Sequence, residues 1–143
     1  MLVKEVMKKN VVTIEPDATV QDAAKKMVEM GTKFLIVTEK EKLVGIVTEW
    51  DFVKKVAGEE EFKENSKLST IMTKKVIVVM PDTDIREAAE IMASNNIKKL
   101  PIVSNNVLIG VVTAMDIVAA EPKLIEHVSE LILTSDKQKP MAG

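Results

Sequence analysis

Two threonine–aspartate pairs carry the first hint of chemistry in this chain. Residues 45–51 read GIVTEWD and residues 110–116 read GVVTAMD, so Gly45, Thr48 and Asp51 return 65 positions later as Gly110, Thr113 and Asp116. A Thr-x-x-Asp step where a strand runs into a helix has two uses. As a cap, the threonine oxygen accepts an N–H of the first turn and the aspartate lies near the positive helix end. As a ligand site, the free N–H groups and the hydroxyl face a phosphate, while the carboxylate accepts two hydrogen bonds from a ribose diol. The glycine serves close packing in the first reading and gives a ligand room in the second. Both readings fit the residues; the second points to a nucleotide.

Little else in the sequence is reactive. Cysteine is absent and there is one histidine, His127, so disulfides, thiolate chemistry and a His/Cys metal site are excluded. Asp51 and Asp116 sit in separate copies of the repeat with no base or nucleophile near them in sequence, which argues against an enzyme and against a catalytic metal. Twenty basic residues against 22 acidic ones give a net charge of −2, without the basic excess that nucleic acid or an anionic membrane requires. The longest apolar runs, such as VIVVM at 76–80, are far short of the roughly 20 residues of a membrane span. The first residues, MLVKEVMKKN, lack the apolar core of a secretory signal, and a cytoplasmic protein is expected.

The elements that must position the two pairs also recur. Pro16-Asp17, Ala23-Ala24 and Met27 return as Pro81-Asp82, Ala88-Ala89 and Met92. TKFLIV at 32–37 matches KKLPIV at 98–103 better at an offset of 66, which predicts a one-residue slip and a shorter first copy. VVTI at 11–14 and VIVV at 76–79 read as strands. Val20, Ala23, Ala24, Met27 and Val28 define one helical face, repeated by Ile85, Ala88, Ala89, Met92 and Ala93. FLIV and KLVGIV, then PIV and VLIGVV, read as strand pairs, and each heptapeptide opens a second helix. The prediction is an α/β (α+β) fold of two β-α-β-β-α repeats packed sheet to sheet with pseudo-two-fold symmetry. The repeats span 1–60 and 68–133, the second with an amphipathic C-terminal helix through Leu124, Ile125, Val128, Leu131 and Ile132. A linker at 61–67 and a disordered tail at 134–143 complete the chain.

On the stretches VKEVMKKNVVTIEPDATVQDAAKKMVEMG and NNIKKLPIV, and on the two G-h-x-T-x-x-D heptapeptides, the chain resembles a tandem pair of CBS (cystathionine-β-synthase) domains, a Bateman module. The resemblance covers all but roughly the last 20 residues. It implies two clefts for adenosine-containing ligands, with the aspartate on the ribose and the threonine on phosphate. Carried over by position, one site would combine Thr113, Asp116, Lys98 and Lys99 with Met7, Val12, Thr32 and Lys33. The other would combine Thr48, Asp51 and Lys33 with Thr73, Ile77 or Val78, Ile97 and Lys98. With fewer lysines in the first copy, the Asp116 site is expected to be the stronger. Trp50 is read as a packing residue rather than a base stack. The implied ligand is an adenine nucleotide, AMP or ADP before ATP, with S-adenosylmethionine the alternative. The implied partners are a second copy in a homodimer, docked through the helices after each heptapeptide, and an effector protein. A purely structural module is the remaining alternative.

Overall fold

The computed structural model describes residues 1–58, 63 and 65–133. The expected tail at 134–143, residues 59 and 60, and residues 61, 62 and 64 of the linker lie outside the described residues. In chain order the elements are α1 (Val3–Val6), β1 (Thr13–Ile14), α2 (Val20–Met30), β2 (Phe34–Glu39), β3 (Lys42–Thr48), α3 (Glu49–Gly58), α4 (Ile85–Asn95), β4 (Lys99–Ser104), β5 (Val107–Thr113), α5 (Ala114–Ala120) and α6 (Ile125–Leu133). Short 3-10 turns cover Leu68–Thr70 and Pro122–Leu124. The fold is mixed α/β. Among the described residues no helix is long and apolar enough to cross a membrane.

The chain forms two compact units whose boundaries cut across the sequence repeat. One is contiguous, Val11–Val76. The other is built from two segments, Met1–Asn10 together with the chain from Ile77 onward. Each unit takes a short helical turn and a methionine from the stretch that precedes the other repeat.

In the contiguous unit, β1 pairs parallel with β2, and β2 pairs antiparallel with β3. Thr19 caps α2 by accepting from the Asp22 N–H at 3.0 Å, and Gly31 ends it in the left-handed conformation, φ 62°. Val20, Ala23 and Met27 are buried, but Val28 is 82% exposed, so the apolar stripe of α2 is narrower than its sequence predicts. A helix needs only three or four core-facing positions per two turns, and Val28 falls just outside that arc. Leu68, fully buried, plugs the core beside Leu35, Val37 and Val47.

In the two-segment unit, β4 pairs antiparallel with β5. Asp84 caps α4, accepting from the Arg86 N–H at 2.9 Å, and Asn96 ends it with φ 54°. Val3, fully buried, occupies the place that Leu68 holds in the other unit, beside Ile85, Met92, Leu100 and Ile102. Leu124, Val128 and Leu131 join the same cluster, so the apolar face of α6 packs on its own unit. VIVV does not form the expected strand. Only Val79 enters the ladder, donating to Pro101 O at 3.0 Å and accepting from Val103 N at 3.0 Å. Ile77 and Val78 are exposed, because this stretch is where the chain passes from one unit to the other.

The expected one-residue slip is absent. β2 and β4, β3 and β5, and α2 and α4 all stand 65 residues apart, and Val37 faces Gly45 as Ile102 faces Gly110. Both hairpins close through two left-handed residues, Lys40-Glu41 (φ 52° and 69°) and Asn105-Asn106 (φ 50° and 67°). That geometry fixes the register in each. Phe34 is therefore the counterpart of Lys99, and Lys33 that of Lys98.

Candidate functional site

The two heptapeptides place their threonine and aspartate in closely related settings. In the two-segment unit, Thr113 Oγ accepts from the Asp116 N–H at 3.1 Å, and Asp116 Oδ2 accepts from the Thr113 N–H at 2.9 Å. This is a reciprocal capping box. In the contiguous unit, Asp51 Oδ2 accepts from the Thr48 N–H at 2.8 Å and from the Thr48 hydroxyl at 3.3 Å. Thr113 thus realises the capping reading in full, whereas Thr48 donates its hydroxyl to Asp51 instead; the aspartate half of the pattern is common to both. It uses one carboxylate oxygen of each aspartate and leaves the other, Oδ1, with capacity to accept.

A lysine stands at each remaining oxygen. Lys8 Nζ lies 3.5 Å from Asp116 Oδ1, and Lys54 Nζ lies 3.5 Å from Asp51 Oδ1. The aspartate side chains are nearly buried, at 13% and 10% exposure, so each charge is compensated by N–H donors and an ammonium rather than by bulk water. Neither lysine was among the residues singled out from the sequence. The signal for Lys54 is its i+3 spacing from Asp51 on a helix. The signal for Lys8 is its position after Met7, where the other repeat has Met72-Thr73.

The glycines bear on how these lysines arrive. A Cβ on Gly110 would lie 2.6 Å from Met7 Sδ and 3.0 Å from the Lys8 carbonyl oxygen. A Cβ on Gly45 would lie 2.7 Å from Met72 Sδ and 3.0 Å from the Thr73 carbonyl oxygen. The space beside each glycine is filled by a methionine side chain and the carbonyl oxygen of the residue after it; the expectation that it gives a ligand room is overturned. Lys8 is clamped to β5 by two hydrogen bonds with Val111, at 2.9 and 3.0 Å, and Thr73 to β3 by two with Ile46, at 2.9 and 3.0 Å.

The register assembles further members of the expected set. Lys99 lies opposite Thr113, and Lys98 O accepts from the Ala114 N–H at 2.9 Å. Phe34 lies opposite Thr48, and Lys33 O accepts from the Glu49 N–H at 3.1 Å. The two-segment unit thus holds Met7, Val78, Ile97, Lys98, Lys99, Thr113 and Asp116; the contiguous unit holds Val12, Thr32, Lys33, Thr48, Asp51 and Thr73. Thr32 is engaged locally, its hydroxyl donating to Phe34 O at 3.0 Å. Thr73 and Val78 are exposed, as is Lys33; Lys98 and Lys99 are half-buried. An open depression of about 340 Å3 lies beside Asp51, lined also by Lys54, Lys55, Gly58 and Ile71. Among the described residues no group of three or more His, Cys, Asp or Glu side chains is placed to hold a metal ion.

The family model of the CBS domain matches this chain twice, at residues 3–58 and 68–123. An uncharacterized protein of Methanopyrus kandleri, MK0525, is 38% identical over 130 residues, which cover 90% of this chain and 66% of that protein. A second, MJ0188 of Methanocaldococcus jannaschii, is 35% identical over 134 residues, 88% of this chain and 48% of its own length. The chain therefore spans about half to two thirds of these relatives. Among solved structures, the CBS domain pair of protein MJ0100, in complex with 5′-methylthioadenosine and S-adenosyl-L-methionine, superposes with a TM-score of 0.75 at 29% identity, covering 86% of this chain and 97% of that one. With both repeats matched and the fold shared, the chain belongs to the CBS domain family and carries two CBS domains in tandem.

Proposed function

We propose that this chain is a regulatory module of the cytoplasm, without catalysis of its own, that binds an adenosine-containing ligand and signals to a partner. The observation that carries the reading is the repeated Thr–Asp pair, in which one carboxylate oxygen is tied to the backbone and the other faces an ammonium. Such a carboxylate is fixed in place yet can still accept a ribose diol. The MJ0100 pair, bound to two adenosyl compounds, supports the ligand class. Asp116 and Thr113, with Lys98 and Lys99, would form the stronger site, together with Met7. Asp51 and Thr48 would form the weaker, since Phe34 stands where the other unit has Lys99. Val12, Thr32, Lys33, Thr73, Val78 and Ile97 would contribute to framing the ligand. Thr113 and two lysines suit the charge of AMP or ADP better than that of ATP. S-adenosylmethionine is the second reading, favoured by the MJ0100 complex. The exposed Val53 and Val56 of α3 and Met115 of α5 would dock a second copy as a homodimer.

The test is a melting and calorimetric titration against AMP, ADP, ATP, S-adenosylmethionine and 5′-methylthioadenosine, with sedimentation of each mixture. A ligand at 100 times its dissociation constant adds about 2.7 kcal/mol of stability. Asp116→Ala is expected to weaken AMP roughly 10- to 150-fold, and Asp51→Ala less. No saturable adenosyl binding would overturn the ligand reading, and a monomer throughout would overturn the homodimer.

A further inference from the structure

The cation at Asp116 and the cation at Asp51 come from different parts of the chain, and this difference has a functional reading. Lys54 stands three residues after Asp51 on the same helix. Lys8 stands on a separate segment, 108 positions before Asp116 in sequence, and is delivered by a clamp that uses both its backbone N–H and its C=O on Val111. Val111 lies two residues before Thr113 on β5. The root of Lys8 is therefore fixed beside the Thr–Asp pair, whereas its ammonium, on a 68% exposed side chain, sits on a flexible four-carbon stem. The same clamp in the other unit holds Thr73, which carries no charge.

We infer that Lys8 determines specificity at the Asp116 site, selecting ligands that carry a phosphate over neutral adenosyl ligands. The inference rests on the proposal that Asp116 accepts the ribose diol. Without ligand, Lys8 neutralises Asp116. A neutral adenosine offers the ammonium nothing and competes with it for Oδ1. A phosphorylated adenosine brings its own anion, so the ammonium can swing on its stem from carboxylate to phosphate and remain paired while the diol takes Oδ1. Placing threonine at this position, as the contiguous unit does at Thr73, removes that exchange but keeps the backbone clamp. The lysine is thus separable from the fold.

The experiment measures dissociation constants for AMP and for adenosine with the parent chain, Lys8→Thr and Lys8→Arg, at low and high salt. The parent is expected to prefer AMP over adenosine by about tenfold at low salt, the lower end for a charge-assisted hydrogen bond on an exposed side chain. High salt should shrink the preference. Lys8→Thr should cut it severalfold, the remainder resting on Thr113, Lys98 and Lys99, while leaving adenosine binding within about twofold, and Lys8→Arg should retain it. An AMP-to-adenosine ratio that is the same in the parent and Lys8→Thr, or a parent that binds both equally, would overturn the role of Lys8 and leave the ligand class standing. Failure of the parent to bind either compound, or 5′-methylthioadenosine, would overturn the ligand class and the inference with it.

Discussion

The contiguous unit and the two-segment unit share one backbone plan and differ in their charges. Helix caps, strand register, the glycine under the methionine and the threonine–aspartate step all coincide at a spacing of 65 residues. The side chains around that frame diverge: Lys99 against Phe34, Lys8 against Thr73, Asn105-Asn106 against Lys40-Glu41. Positions that satisfy buried backbone groups admit few alternatives, because an unpaired buried N–H or C=O costs about 1–3 kcal/mol. Positions around the aspartates answer instead to whatever approaches them. The repetition is a constraint of folding, and the divergence lies in the side chains around the two aspartates.

The comparison can be strained first through the core plugs. Leu68→Ala should destabilise by about 2–5 kcal/mol, with hydrogen exchange rising mainly in residues 11–76, whereas the smaller Val3→Ala should cost about 2 kcal/mol and loosen the other unit. If both substitutions raised exchange equally everywhere, the two units would not be separate cooperative bodies. Next in size, Gly45→Ala and Gly110→Ala should each cost about 1–3 kcal/mol in denaturant titration, since the new methyl meets a methionine sulfur and a carbonyl oxygen. Comparable losses at the two glycines would confirm that the clamps are equivalent; a loss at one alone would separate them. The smallest effect concerns the hairpins. Glu41 adopts φ 69° without the tolerance for that conformation that asparagine has in the other unit. Glu41→Gly is therefore expected to raise stability slightly, by about 0.5 kcal/mol once the added freedom of the unfolded chain is counted, read as a small upward shift of the melting midpoint. A loss of stability would show that Glu41 makes a compensating contact.

Much of this plan was legible in the sequence because it is local. The capping pair Thr113–Asp116, the Ala-Ala-Met helix faces and the two strand pairs each follow from residues within a few positions of one another. The failures share a cause as well. TKFLIV resembles KKLPIV one residue out of register, and composition outweighed the turn; only the left-handed pair at 40–41 reveals that no residue is missing. VIVV is apolar enough for a strand, but pairing depends on a neighbour that the run itself does not encode, and just Val79 finds one. The exchange of the leading segments was unreadable for the same reason. Val3 and Leu68 look alike as plugs, and nothing near either says which core it enters. Since Lys8 rides on that exchanged segment, the cation at Asp116 was hidden with it.

The two-segment construction also sets an order of events during synthesis. The contiguous unit has all its residues once position 76 has been made, and it can close at once. Residues 1–10 are made before it yet pair only with residues made after it, from Pro81 and Thr83 to Val111. At translation rates of about 5–20 residues per second, that is a wait of roughly 4 to 20 seconds. Until those partners are made, Val3, Val6 and Met7 keep in water the apolar surface that they bury in the finished unit. This early segment is thus open to aggregation while it waits, and a natural place for a chaperone to hold.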